Sequence, residues 1–304
     1  MLGIFLSFTT ALLQSARDVY LSNQHTRGIS HVLRAFLSPI LVIPIMGAIV
    51  LLRGLPDIRE GFFLYAGIHA LLMVVANYCY MRSLAIGHLS ETQPMLAFSP
   101  MLLLITTPLM TNDTVTPLGW IGVFLAGLGV YATQHPGRDP ITEKLVSFWR
   151  PFITMWRVPG VLWMFGVTVI FSVAANLDKL STLSADAPTY LLVDASLTAL
   201  IAGVLILLGA AWGLLPRPSL HEAGFALKTL APGGLISAFS GLTQMWALTL
   251  MPVPYVVAIK RLSIVFASLW GYFARRERAP HWYRIAGVVA IFFGIVLIVV
   301  FGRI

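Results

Sequence analysis

The chain is poor in charge and in cysteine, and each shortage excludes a class of protein. Only 11% of its 304 residues are charged, whereas 58% are hydrophobic. Soluble globular domains carry about 25% charged residues, so the composition predicts a polytopic membrane protein. The single cysteine, Cys79, excludes a disulfide within the chain and a cysteine-based metal cluster. We expect no metal and no cofactor.

Motifs of catalysis are also lacking. The sequence has no Walker-type glycine-rich lysine motif and no His-Glu-x-x-His, so neither ATP hydrolysis nor zinc-dependent proteolysis is expected of it. Ser240 lacks a glycine two positions before it and has no obvious histidine partner within the apolar segments. We therefore do not expect an enzyme. Met1–Ala16 lacks the basic start of a cleavable signal, so the first helix is expected to stay.

Basic residues outnumber acidic ones by 20 to 12, which gives a net charge of +8. A nucleic-acid partner would explain this sign, but the Lys and Arg residues are scattered through short loops between apolar runs. Cations in such loops set the orientation of a membrane protein and contact anionic lipid. The expected partners are therefore a lipid bilayer and a small-molecule substrate, with no nucleic acid. A homodimer is left open.

Ten apolar segments predict ten membrane-spanning helices, joined mostly by short loops. They cover residues 2–23, 31–52, 62–85, 89–110, 117–135, 158–180, 188–214, 230–250, 253–273 and 281–302. The longer connection at 136–157 carries basic residues with Trp149 and Trp156, which fits an interfacial segment as well as a solvated linker. Loops after odd-numbered spans, with the helix ends that adjoin them, hold 13 Lys and Arg, and the other loops with their helix ends and the termini hold 4. The positive-inside rule then puts both termini outside.

The two halves of the chain resemble each other. Gly122 and Gly129 of the fifth span recur as Gly287 and Gly294 of the tenth span, at an offset of 165. Small residues one helical turn apart, such as Gly122 and Ala126, would let these two helices pack closely.

Two further matches have nearly the same offset. Tyr80 in the third span corresponds to Gln244 in the eighth at 164, and Asp18 in the first corresponds to Asp178 in the sixth at 160. Five helices per half is an odd number, so the second copy must insert upside down, as in many secondary transporters. The predicted fold is an all-α membrane protein with ten transmembrane helices arranged as two inverted five-helix repeats. The predicted domains are residues 1–135 for the first repeat, 136–157 for the linker and 158–304 for the second repeat.

The most informative polar feature is the pair Lys260 and Arg261, which stands inside the apolar ninth span. Each cation costs at least ~2.5–3.5 kcal/mol if it faces lipid, so we expect the pair to face a wet cavity, an anion or a carboxylate. The planar fork of arginine suits carboxylate or phosphate, which favours an anion-binding cavity. The alternative is a structural ion pair with Asp18, Glu91 or Asp194.

Ten short helices in two halves, with glycine-spaced fifth and tenth helices, resemble the drug/metabolite transporter superfamily and in particular its EamA-type branch. Leu89–Pro100 is similar to that family's fourth helix, and Lys260–Gly271 followed by Glu277 is similar to its ninth. The resemblance covers essentially the whole chain. It implies a transporter whose termini are commonly cytoplasmic, which is opposite to the orientation that the charge count predicts.

A Lys-Arg pair in helix nine is also a feature of the sugar-phosphate/phosphate translocators of the same superfamily, where it engages the substrate phosphate. By this resemblance Lys260 and Arg261 would clamp an anion. Those translocators add a lysine in helix four ahead of a Glu-Pro step, whereas residues 90–94 read Ser-Glu-Thr-Gln-Pro here and contain no cation. A carboxylate or a singly charged head group therefore stays open as the ligand. Pro94 and Pro100 are expected to bend this helix, because proline removes a backbone donor.

We expect a secondary transporter that moves a small organic anion or amphipathic metabolite by alternating access, located in the bacterial inner (plasma) membrane. The alternative is a lipid-linked sugar flippase or an exporter of amino acids or drug-like compounds. Polar residues of the spans are the candidate substrate ligands, although such side chains also bond between helices. The candidates are Arg17, Asp18, Asn77, Tyr80, Gln93, Asn176, Gln244, Tyr255, Lys260 and Arg261. His69, the one histidine expected to be buried, is interpreted as a packed core residue rather than a proton relay.

Overall fold

The structure is a computed structural model, and its description extends over most of the predicted spans. It describes residues 1–21, 29, 31–86, 92–134, 159–212, 220–275 and 282–302. The predicted interfacial segment at 136–157 lies outside these residues, so its interpretation stays a prediction.

The described residues form eleven α-helices and one 3-10 helix. The α-helices are α1 (Leu2–Leu21), α2 (His31–Arg53), α3 (Phe62–Ile86), α4 (Ser99–Met110), α5 (Pro117–Gln134), α6 (Pro159–Ser184), α7 (Ala187–Ala211), α8 (Leu220–Leu250), α9 (Val253–Lys260), α10 (Leu262–Arg275) and α11 (Trp282–Phe301). The 3-10 helix, Gln93–Phe98, directly precedes α4. Each predicted span therefore corresponds to helix, but the fourth span changes helix type and the ninth is divided into α9 and α10.

Five of the helices are long and apolar enough to cross a membrane, namely α2, α3, α6, α7 and α8. Shorter apolar helices cover Met95–Met110, Pro117–Thr133 and Ile285–Phe301. Large apolar side chains such as Leu51, Leu109 and Leu207 are exposed, as expected of helix surfaces that contact lipid. The all-helical prediction holds for the described residues, and the count of ten spans stays a prediction.

Helix ends follow local sequence signals. At the start of α7, the Asp186 side chain accepts a hydrogen bond from the backbone N–H of Thr189 at 3.0 Å, and proline follows in the first turn. After α2, Gly54 has a positive φ of 82° and its N–H donates to the carbonyl of Val50 at 2.8 Å. Glycine adopts this left-handed conformation readily, which closes the carboxyl end of α2.

The chain divides into two compact units, each with helices from both halves of the sequence. Unit 1 comprises Met1, Val75–Asn176 and Met251–Ile304, and unit 2 comprises Leu2–Val74 and Leu177–Leu250. Helices α3 and α6 each contribute residues to both units. The predicted domains, residues 1–135 and 158–304, are defined by the internal repeat, whereas the two units are defined by which residues pack together. The predicted domains therefore stay a prediction.

Unit 1 is centred on α5 and α11, which pack closely along four glycines. A Cβ added to Gly122 would lie 2.7 Å from the carbonyl oxygen of Gly294, and one added to Gly129 would lie 2.6 Å from that of Gly287. The predicted close packing of these two spans is therefore confirmed. The adjoining apolar core includes the fully buried side chain of Tyr131.

Unit 2 packs α1 against α8, and α2 against α7 and α8. The Tyr20 hydroxyl of α1 donates to the carbonyl of Thr229 in α8 at 2.8 Å. The hydroxyls of Thr10 and Thr243 lie 2.9 Å apart between the same two helices. Polar side chains thus join the helices of this unit.

Candidate functional site

Arg261 stands at the break between α9 and α10 in unit 1. Its N–H donates to the carbonyl of Ala258 at 3.1 Å, and its carbonyl accepts from the N–H of Ile264 at 3.1 Å. Both bonds span three residues rather than the four of an α-helix, so the chain makes a tight 3-10 turn here. The structure therefore corrects the expectation of one continuous ninth helix, and the charged pair lies where the helix is interrupted.

The 3-10 helix before α4 offers a backbone acceptor in the same unit. In an α-helix the carbonyl of Leu96 would accept from the N–H of residue 100, but Pro100 has none. The N–H of Ser99 donates to Leu96 instead, in a tighter turn. A carbonyl oxygen has two lone pairs, so Leu96 can accept a second hydrogen bond.

The Arg261 guanidinium supplies that second bond. Its Nη2 donates to the carbonyl of Leu96 at 3.4 Å and to the hydroxyl of Ser99. Its Nε is buried and has no hydrogen-bond partner among the described residues. Within the described part of the chain, no carboxylate lies within ion-pair distance of this guanidinium.

The acidic residues proposed as structural partners of the pair are engaged with other residues. Asp18 pairs with Arg17 at 2.9 Å on α1, and Asp194 contacts His69 at 2.6 Å. Glu91 lies outside the described residues. Lys260, the last residue of α9, is half-buried and has contacts of its own.

Asn176 joins α6 to α4 in unit 1 and is fully buried. Its Nδ2 donates to the Thr106 hydroxyl at 3.1 Å and to the Ser172 carbonyl at 2.8 Å, while its Oδ1 accepts from the Thr107 hydroxyl at 2.8 Å. These bonds use both amide protons and one oxygen lone pair. The amide has little capacity left for a ligand in this conformation.

Tyr255 of α9 is also fully buried within unit 1. Its hydroxyl accepts from the N–H of Thr116 at 3.1 Å and lies 3.2 Å from the Thr116 hydroxyl. Its ring lies close to Gly119 and Gly302, where an added Cβ would collide with it. Tyr255 thus secures the start of α5, and its predicted contact with substrate stays a prediction.

The other candidates are distributed over both units. On α3 in unit 1, Asn77 is exposed and Tyr80 packs on the apolar core. Gln93 begins the 3-10 helix, and Gln244 is half-buried on α8 in unit 2. The Arg17–Asp18 pair also belongs to unit 2 and is partly exposed. The hydrogen bonds described for Arg261, Asn176 and Tyr255 do not connect these three residues to one another. Substrate binding by all ten candidates stays a prediction.

The list of candidates missed a second polar group, the titratable cluster of His69, Asp178, Tyr190 and Asp194 in unit 2. The two ring nitrogens of His69 face the two carboxylates, with Nδ1 2.6 Å from Asp194 Oδ1 and Nε2 3.3 Å from Asp178 Oδ1. The Tyr190 hydroxyl donates to Asp178 Oδ1 at 2.6 Å. The available signal was the presence of one histidine and two aspartates within otherwise apolar spans.

Comparisons with known proteins agree with the helical architecture. Residues 1–133 match the model of the EamA-like transporter family. A solved crystal structure, titled only as the structure of a protein, is similar at 18% identity over 99% of this chain and 97% of its own, with a TM-score of 0.72. At that identity the likeness shows the fold alone. No curated protein matches the chain.

Proposed function

Because residues 1–133 match the model of the EamA-like transporter family, we propose that this chain is a membrane transporter that moves a small organic anion or amphipathic metabolite by alternating access between inverted repeats. The family consists of transporters rather than enzymes, which agrees with the absence of catalytic motifs from the sequence. The proposal includes insertion into the bacterial inner membrane as a multi-pass protein, with the more basic loops in the cytoplasm. Three features of unit 1 support it.

The first feature is reciprocal packing between α5 and α11. At the offset of 165, Gly122 corresponds to Gly287 and Gly129 to Gly294. Gly122 contacts Gly294, and Gly129 contacts Gly287. Replacing both residues of the first contact by their counterparts at offset 165 gives the second contact. Such an exchange of partners is the signature of a two-fold axis. It supports an inverted repeat related by a pseudo-two-fold axis that passes between these helices.

The second feature is the pairing of two irregular segments. Leu96, in the 3-10 helix of the fourth span, bonds Arg261 at the break of the ninth span, and these residues are also 165 apart. Interrupted helices in corresponding positions of two halves are the best sequence pointer to a transporter's binding site. The bond between them supports a site at this junction.

The third feature, which carries the anion assignment, is the environment of the Arg261 guanidinium. Its guanidinium contacts a carbonyl and a hydroxyl, and no described carboxylate neutralises it. An unsatisfied buried donor such as its Nε costs about 1–3 kcal/mol. A bound carboxylate could accept from Nε, and from Nη2 as well only if that nitrogen released one of its bonds to Leu96 and Ser99.

Exchange of an anion by the reconstituted protein tests the assignment. We expect Arg261→Ala and Lys260→Ala each to slow exchange of a labelled carboxylate substrate by roughly ten- to hundredfold, because a charge-assisted hydrogen bond contributes about 1.5–3 kcal/mol. Arg261→Lys retains the charge but not the fork, so it should recover only part of the rate. The substrate is first chosen from sugar phosphates, carboxylates, amino acids and drug-like cations by thermal stabilisation of the wild type.

The matched control is Lys228→Ala, which removes a cation from the exposed surface of α8. It should exchange the substrate at the wild-type rate. If Lys260→Ala and Arg261→Ala also retain that rate, or if drug-like cations stabilise the protein best, the anion assignment is wrong.

A further inference from the structure

The titratable cluster links three helices through one imidazole ring. His69 lies on α3, Asp178 on α6, and both Asp194 and Tyr190 lie on α7, all within unit 2. His69 is buried, and the side chains of Asp178 and Asp194 are only 14% and 19% exposed. Ionisable groups at such positions in membrane-spanning helices are rare and commonly form proton relays.

The geometry shows where the cluster can hold protons. A short contact between a ring nitrogen and a carboxylate oxygen requires a proton between them, because two lone pairs repel. Nδ1 of His69 makes such a contact with Asp194 at 2.6 Å, and Nε2 lies 3.3 Å from Asp178 Oδ1, within ion-pair distance. A second proton, on Nε2, would make the ring a cation that pairs with both carboxylates.

Loss of the Nε2 proton would remove the attraction between the ring and Asp178. Asp178 Oδ1 already accepts from the Tyr190 hydroxyl at 2.6 Å, whereas its contact with His69 is the longer one at 3.3 Å. The contact that opens on deprotonation is therefore the one between α3 and α6, while Asp194 keeps its hold on the ring. The protonation state thereby controls a contact between helices.

The surrounding charges favour the protonated arrangement. Apart from the cluster, the described titratable side chains of α2, α3, α6, α7 and α8 in unit 2, with the residue that caps α7, are Arg53, Tyr65, Lys179, Asp186, Glu222 and Lys228. Lys179 is buried beside Asp178 in sequence, Arg53 pairs with Asp186 at 3.9 Å, and Glu222 and Lys228 are exposed. With a cationic His69 and two carboxylates, the cluster and Lys179 sum to zero charge. Release of one proton leaves one negative charge, which is costly in an apolar span.

The two helices whose contact depends on the proton, α3 and α6, each contribute residues to both units, and the boundary between the units lies near the cluster in each of them. The division falls between Val74 and Val75 in α3, five positions after His69, and between Asn176 and Leu177 in α6, immediately before Asp178. We propose that the His69–Asp178–Asp194 cluster binds and releases one proton per transport cycle and couples the proposed carrier to a transmembrane pH gradient. This inference rests on the proposed function for its transport consequence, but proton binding by the cluster does not.

Gradient-driven accumulation in vesicles tests the coupling. One pH unit across the membrane can sustain about a tenfold concentration ratio of a solute that moves with one proton in electroneutral fashion. We expect the wild type to approach that ratio, and Asp178→Asn and Asp194→Asn to reach a ratio of about one. The same variants should still exchange labelled substrate at equal pH, because neither residue belongs to the proposed anion site. The matched control is Asp186→Asn, the same substitution in the residue that caps α7, where asparagine caps a helix as well as aspartate does.

Direct proton counting separates the two proposals. Detergent-solubilised protein is shifted from about pH 5.5, where an ordinary aspartate is already ionised, to about pH 9 in the presence of an indicator dye. His69→Gln should release about one proton fewer than the wild type, because the ring holds the proton that dissociates, whereas Asp186→Asn should release the same number.

The outcomes are distinguishable. If His69→Gln releases as many protons as the wild type, or if Asp178→Asn and Asp194→Asn accumulate substrate against the gradient as the wild type does, the cluster is not the proton carrier. If the wild type exchanges no solute at all, the proposed transport function fails, and the proton count still decides whether the cluster titrates.

Discussion

Two pairs of helices, one pair in each unit, are held together in different ways. In unit 1, α5 and α11 approach until the glycine backbones touch, and each of the four glycines lacks space for a Cβ. In unit 2, α1 and α8 are joined by side chains, through the Thr10–Thr243 contact and the bond from Tyr20 to the Thr229 carbonyl. Lipid gives apolar helices no hydrophobic reason to associate, so close packing and hydrogen bonds must replace it.

The difference concerns how easily each contact can be exchanged. The contact between the four glycines of α5 and α11, here called the glycine seam, has one geometry, because backbone atoms cannot move aside as side chains can. A threonine hydroxyl can instead bond within its own helix, as Thr10 does with the Leu6 carbonyl at 2.9 Å and Thr243 with the Ser240 carbonyl at 3.0 Å. The α5–α11 contact of unit 1 therefore cannot be substituted, whereas the α1–α8 contact of unit 2 can.

The strongest test of this contrast is Gly294→Ala. The added Cβ would lie 2.5 Å from the Gly122 carbonyl oxygen and 2.7 Å from the Ala126 nitrogen, both backbone atoms. Overpacking of this kind costs about 1–3 kcal/mol, so we expect a clear fall in the thermal unfolding temperature of the detergent-purified protein.

The matched control for the seam is Gly166→Ala in α6, where an added Cβ meets no atom within 4 Å. Its unfolding temperature should equal or exceed that of the wild type. Equal losses in the two variants would mean that any alanine disturbs these helices, and no loss for Gly294→Ala would mean that the seam is looser than the structure shows.

An intermediate effect is expected at the one buried amide that joins α4 to α6. Asn176→Leu removes hydrogen bonds to Thr106, Thr107 and Ser172, and we expect it to lower the free energy of unfolding by about 1–3 kcal/mol. Asn77→Leu changes an exposed amide on α3 and should have no comparable effect.

The same pair of variants sharpens the functional reading of Asn176. A purely structural role predicts that transport by Asn176→Leu falls only in proportion to the amount of folded protein. A loss of transport in fully folded protein would instead support the substrate contact predicted from the sequence, in a conformation other than this one.

Helix positions were predictable because ten apolar runs of sufficient length leave few alternatives in lipid. The irregular start of the fourth span could be predicted from Pro94 and Pro100, because each proline lacks a backbone N–H and this is visible in the sequence itself. The break at Arg261 could not be predicted, because no proline or glycine adjoins this residue. Its contact with Leu96 joins residues that are 165 apart in the sequence.

Partners across long sequence separations were equally hidden. The sequence predicts Tyr255 as a candidate ligand, and in the structure its hydroxyl accepts from the N–H of Thr116, which lies 139 residues earlier. The predicted burial of His69 is confirmed. Its interpretation as a packed core residue did not include the contact with Asp194, which is 125 residues away in the sequence. A single sequence reveals which residues are too polar for their span, and only the tertiary packing reveals which of them meet.

The smallest effect is expected where unit 2 is most easily substituted, at the Thr10–Thr243 contact. Each hydroxyl has one proton and a carbonyl of its own helix in reach, so the residue that donates the bond between helices must give up its local bond. A double-mutant cycle with Thr10→Val and Thr243→Val should give a coupling energy near ~0.6 kcal/mol, the mean for hydrogen bonds between membrane helices. Unfolding of the four proteins in a graded denaturant measures it. A coupling as large as the loss in Gly294→Ala would remove the proposed distinction between the two units.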